Sequence, residues 1–158
     1  MLKRNLVLLL AICVFFVFPV NRVFSQQYTK SERQDFYLTY LRSEGFQPAV
    51  DEDGDITFRY EGGNYYIYVE DNDTGYFQIV YPNFYRLETR AERTAAAAAA
   101  SVVTRGIRVV KVYLNSSESN VSISAEMFVV NLTDFTQFFY RLLDIMNSAR
   151  NEFNSQMN

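Results

Sequence analysis

The chain has no histidine and a single cysteine among its 158 residues. Without histidine there is no Ser-His-Asp triad, no imidazole zinc site and no use of the commonest general base. The one cysteine, Cys13, lies in an apolar N-terminal run. If that run is removed, the chain keeps no disulfide, no thiol nucleophile and no thiolate metal ligand, and must fold by its core alone. Positive charge is also short: 15 basic residues face 18 acidic ones, so nothing in the composition attracts nucleic acid. No Pro/Ser-rich linker and no internal repeat interrupts the sequence, which points to one folded domain.

The long hydrophobic run itself begins after Lys3 and Arg4, as "LVLLLAICVFFVFPV". A short positive segment ahead of an apolar core is the pattern of a secretory signal. About 15 apolar residues fall short of the roughly 20 that a spanning helix needs, which favours cleavage over an uncleaved anchor. Val23 and Ser25 sit three and one residues before Gln26, near the small-residue rule for cleavage, and place the cut after Ser25. A lipoprotein signal at Cys13 would want a small residue before it, where Ile12 stands. The expected organisation is a signal peptide over 1–25 and one domain over 26–158. Export to the periplasm or beyond follows, with no membrane span after cleavage. Losing Lys3, Arg4 and Arg22 leaves 12 basic residues against the same 18 acids.

The domain reads as a helix, four strands, a helix, two strands and a last helix. Thr29 and Glu32 have capping-box spacing, and Phe36, Tyr37, Tyr40 and Leu41 form one side of the helix before Gly45. The segments "FQPAV", "ITFRY", "NYYIYVE" and "YFQIVY" follow, separated by "DEDGD", "EGG" and "DNDTG", which predicts an antiparallel meander. Thr89 and Glu92 cap a second helix through "AAAAAASVV" to about Arg105, with Gly106 as its stop. Its alanines serve either as helix filler or as a surface for close packing or dimerisation. Arg86, Arg90, Arg93, Arg105 and Arg108 surround it as a local basic patch, or as solvated flanks. Strands at 109–113 and "VSISAEMFV" complete the sheet. The last helix shows Phe135, Phe139, Leu142, Met146, Ala149 and Phe153, with Phe138, Leu143 and Ile145 widening the stripe.

The run "DEDGD", Asp51 to Asp55, packs four carboxylates around one glycine. An EF-hand loop needs glycine at its sixth position and a bidentate acid at its twelfth. Counting from Asp51, glycine is fourth and the twelfth residue is Gly62, so a hairpin turn with Gly54 at positive φ fits better. Up-and-down strands bring this turn near Glu70, Asp71 and Asp73, where a weak, adventitious cation site is the alternative to a bare turn.

Strand alternation gives the sharpest functional clue. Tyr65, Ile67 and Val69 share one face while Tyr66 and Tyr68 share the other; Phe77, Ile79 and Tyr81 oppose Tyr76 and Val80. Both faces are apolar, so either helices cover part of each or the second face is a binding platform. The candidate partner-binding residues are Tyr66, Tyr68, Tyr76 and Val80.

The run "LRSEGFQPAVDEDGDITFRYEGGNYYIYVEDNDTGYFQIVYPNF", then "VVKVYLN" and "SISAEMFVVNLTDFTQFF", resembles the YbjN-like family of proposed bacterial sensory transduction regulators. The likeness covers roughly residues 31–153. It rests on the "GF-x-P-x-x-D-x-D-G-D" entry, the "EG" and "YYI" strand pair, a "YPN" stop and the "E-M-F" strand before the last helix. The resemblance implies an α+β domain, similar to type III secretion chaperones in fold, that binds other proteins without catalysis and often as a dimer. It implies no catalytic residues, cofactor or metal. The export signal departs from the family's cytoplasmic setting.

Two readings follow. One is an exported, non-catalytic, chaperone-like protein-interaction module that holds an apolar stretch of another polypeptide or of its own twin. The other is a glycan- or small-ligand-binding module in which Tyr66, Tyr68 and Tyr76 stack on the ligand. Hydrolysis by paired carboxylates is the weakest reading, because the acids cluster at turns and not across a cleft. Asn72, Asn115, Asn120 and Asn131 lie in sequons that stay bare in a bacterial protein. Intact mass of the exported protein is expected to start at Gln26 without glycan; a mass retaining Met1 to Ser25 refutes the cleavage site.

Overall fold

The computed structural model describes residues 28–158 apart from residues 72, 74 and 130; Cys13 and the expected signal peptide lie outside the described residues. Helix α1 (Lys30–Ser43) starts as its capping box requires, the Glu32 amide donating to Thr29 Oγ1 at 3.2 Å and the Thr29 amide donating to the Glu32 carboxylate at 2.8 Å. It ends in a Schellman turn: Gly45 takes φ +87°, and the amides of Gly45 and Phe46 donate to the carbonyls of Arg42 and Leu41.

Four strands follow, β1 (Ala49–Val50), β2 (Ile56–Tyr60), β3 (Gly63–Tyr68) and β4 (Tyr76–Arg86). Helix α2 (Arg90–Gly106), strands β5 (Val110–Leu114) and β6 (Asn120–Phe128), and helix α3 (Leu132–Met157) complete the chain. The strands form one sheet in the order β1-β2-β3-β4-β6-β5, every pairing antiparallel. The class is α+β with the expected element order. None of the helices among the described residues is long and apolar enough to cross a membrane.

Two strands differ from the sequence reading. β1 is only two residues long, because Phe46 turns inward to pack on Phe58 and Phe139 and Pro48 has no amide for a ladder. "YPN", read as a stop, lies inside β4, which runs on to Arg86 through a register shift between Tyr81 and Tyr85. Pro82 occupies the bulge, Asn83 takes φ +53°, and the Asn83 amide finds a replacement acceptor in Ser122 Oγ at 3.1 Å.

Register puts Ile56, Ile67, Ile79, Ala125 and Val110 in one row across the sheet, all buried. Phe58 and Tyr65, then Tyr81, Ile123 and Val112, make the next row on the same face. The helices gather on this face. Phe135 of α3 meets Tyr37 at 5.0 Å and Phe77 at 4.9 Å between ring centroids, and Phe139 meets Tyr40, Phe46 and Phe58. Farther along α3, Phe153 meets Phe84 and Tyr85. Phe138, which widens the apolar stripe in the sequence, is 38% exposed, while Leu143 is buried.

The alanine run of α2 is a packing device within the chain. Ala96, Ala99, Ala100 and Val103 are buried at helical spacing, while Ala97 and Ala98 face outward. Small side chains let α2 lie close to α3 and to the outer strand β5. There Thr104 does a second job: its hydroxyl accepts from the Val112 amide at 2.9 Å and donates to the Val112 carbonyl at 3.3 Å. The outward backbone amide and carbonyl of Val112, at the middle of this edge strand, are thereby satisfied.

The acidic turn is held as a turn. Asp51 Oδ1 accepts from the amides of Asp53 and Asp55, Gly54 takes φ +86°, and Asp55 Oδ1 accepts from the Val69 amide at 2.9 Å. Burial raises the Asp55 carboxyl above its ordinary range, against the lowering effect of that Val69 bond. The expected approach to the β3–β4 turn occurs, with Lys30 between the two: its Nζ donates to the Asp53 carbonyl at 3.2 Å and lies 3.8 Å from Asp71. Among the described residues no acidic cluster has metal-site geometry. The expected outcome of adding millimolar calcium is an unchanged melting temperature. A site filled a hundredfold above its Kd would stabilise by about 2.7 kcal/mol, a shift a thermal melt would show.

Candidate functional site

Because successive side chains alternate, the residues between the core positions project from the opposite face. Among the described residues no helix packs there. Register aligns Thr57, Tyr66, Val80, Ser124 and Lys111 in one row, and Tyr68, Gln78 and Glu126 in the next. Tyr76 opposes Phe128, their ring centroids 5.9 Å apart, at the end of this face.

The centre is a carboxylate. Glu126 accepts hydrogen bonds from Ser124 Oγ at 2.8 Å, Gln78 Nε2 at 3.2 Å, Lys111 Nζ and the Tyr76 hydroxyl. Burial alone would raise this carboxyl, but the Lys111, Tyr76 and Ser124 donors together hold it below the ordinary glutamate value. Tyr76 responds in the opposite sense, pushed up to about 12 by burial and by its bond to Glu126. Burial also raises Tyr68 and Tyr113. The face is thus a set of neutral tyrosines around one ionised, fully partnered carboxylate. A carboxylate held ionised and below its ordinary range is a weak base.

Tyr66, Tyr68 and Tyr76 are brought onto one face and are half-buried. Val80 shares that face but is only 1% exposed, so it supports the tyrosines and is not itself a contact surface. Sequence reading missed Phe128, 78% exposed, and Tyr113, 38% exposed. It also missed the Glu126–Lys111 pair. The signal was present in "SISAEMF", where Ser122, Ser124, Glu126 and Phe128 alternate away from Ile123 and Ala125. Of the five arginines read as a basic patch or as solvated flanks, Arg86 lies 3.7 Å from Glu88, Arg105 Nε donates to the Ser101 carbonyl, and Arg90 and Arg93 line a shallow cleft beside Leu114 and Glu118.

The fold has solved counterparts. YbjN from E. coli, a proposed transcription regulator, superposes with a TM-score of 0.60 at 15% identity, over 77% of this chain and 90% of its own. The fold is YbjN-like. An uncharacterised protein from Methanothermobacter thermautotrophicus superposes with a TM-score of 0.54 at 13% identity, over 80% of this chain and 99% of its own. No protein-family model and no curated protein matches the sequence.

The Glu126 network makes a pH-dependent contribution of defined sign. A carboxyl whose pKa is lowered on folding stabilises the fold above its unfolded value, about 4.3, and loses that contribution as pH falls through the folded value. Lys111→Met is therefore expected to lower the melting temperature most at pH 7, with the difference from wild type closing towards pH 3. A gap that stays constant over this range would refute the assignment.

Proposed function

We propose that this domain is an exported, non-catalytic protein-interaction module of chaperone-like type, acting in the periplasm or outside the cell. Its helix-free sheet face closes on a second polypeptide, either an apolar client stretch or another copy of itself. The observation that carries this reading is the mismatch between the two faces: three helices serve one, while Tyr66, Tyr68, Tyr76, Tyr113 and Phe128 stand on the other without cover from any described helix. Aromatic side chains with a polar tip are suited to a surface that is wet when free and dry when bound. The central Glu126–Lys111 pair would give such an interface register, since an ionised pair is costly to leave mismatched. The YbjN-like fold supports a regulator or protein-interaction role at that coarse level.

Tyr68→Ala and Phe128→Ala test the reading directly. Truncating an aromatic anchor at an interface centre costs about 2 kcal/mol or more, so each should weaken association at least tenfold by sedimentation. Circular dichroism should show the monomer still folded. Val80→Ala, by contrast, is expected to lower stability. If Tyr68→Ala unfolds the domain and Phe128→Ala leaves association unchanged, this face is not the interface.

A further inference from the structure

Away from the sheet face, a groove of about 560 Å³ opens between the α2–β5 connection and α3. Ile107, Met127, Phe138, Leu142 and Ile145 form its apolar walls, and Arg108 and Arg141 are the only polar side chains that line it. Neither guanidinium has an ion-pair or hydrogen-bond partner among the described residues, a condition shared with Arg42, Arg59, Arg90 and Arg93; what sets these two apart is that both line one apolar groove. The groove thus brings two cations to one apolar cleft on a chain whose acids outnumber its bases, 18 to 15. The backbone at the groove is strained as well: Val109, a β-branched residue, holds φ +63° and is 49% exposed, with its carbonyl tied to the Glu126 amide at 3.2 Å. Strain of this kind collects where a ligand or switch requires it.

We propose that this groove binds a free, monomeric long-chain carboxylate, its alkyl chain against Phe138, Leu142 and Ile145 and its head between Arg108 and Arg141. The volume falls in the range of small-ligand clefts, roughly 300–1,000 Å³, and the lining has their usual makeup of apolar walls with a few placed polar groups. Guanidinium pairs carboxylate through two parallel hydrogen bonds, which gives the head a fixed seat. A peptide fits less well. It would bury amide N–H groups that need acceptors, and the lining side chains, two arginines and otherwise apolar, supply none. The chain's own apolar run is disfavoured by charge, since Lys3, Arg4 and Arg22 accompany it.

Titration of the exported protein with dodecanoate below its micelle concentration, followed by calorimetry, tests this. One site per chain is expected, with dodecanol binding at least about tenfold more weakly because it lacks the charge-assisted bonds. Arg108→Gln and Arg141→Gln, both at exposed positions, should each weaken dodecanoate by about tenfold and leave dodecanol unchanged. Equal affinity for dodecanol, insensitivity to both arginine substitutions, no saturable binding, or binding confined to phosphatidylglycerol vesicles would each overturn the proposal. So would displacement of nothing but an acidic amphipathic peptide from the groove.

Discussion

Everything in this molecule leans on the contact between α3 and a single face of the sheet. Phe135 and Phe139 sit one helical turn apart and are both fully buried, and through them α1, β2 and β4 are joined to the same helix. No covalent cross-link assists, since the described residues contain no cysteine. The rings meet mostly edge to face, a geometry in which aromatic pairs add to simple burial. Concentrating the three described helices here has a direct cost on the other side. The second face must solve its own solvation problem, and it does so with tyrosines, serines and one carboxylate in place of a second layer.

Much of this was readable from the sequence, for identifiable physical reasons. Capping boxes at Thr29 and Thr89 are local chemistry, complete within four residues, and both appear as hydrogen bonds. Period-two alternation in "NYYIYVE" divided the tyrosines correctly between faces. What was less legible depends on cross-strand neighbours. Val80 looks like a surface residue by alternation, and only the register that sets it between Tyr66 and Ser124 explains its burial. Likewise, Pro82 signals interruption locally, yet β4 survives it because Ser122 on β6 receives the orphaned Asn83 amide. Phe138 follows the helical stripe in period but not in burial, since the stripe's edge meets a groove and not a strand.

The acidic turns show how one cation can change the meaning of a motif. Read alone, "DEDGD" is a hairpin turn, with a weak cation site beside Glu70 and Asp71 as the alternative. In the fold, Lys30 from α1 reaches into that space, and Gln34 donates to the Gly54 carbonyl at 2.7 Å beside it. The turn is thereby docked to the first helix, so its acids contribute to the placement of α1 on the sheet as well as to the hydration of a loop.

The Thr104 hydroxyl, bonded both ways to Val112, has a consequence for growth. Two β-sheets can join side by side only where a strand offers free backbone groups, and side-by-side joining has no natural end: each new copy exposes the same margin again, and filaments follow. Here one margin is interrupted at its middle residue, Val112, by the chain's own threonine, and the other is a strand of two residues. Copies that meet broadside, in contrast, consume the surface they use, and the assembly stops at a pair. A single hydroxyl thus bears on whether self-association is finite.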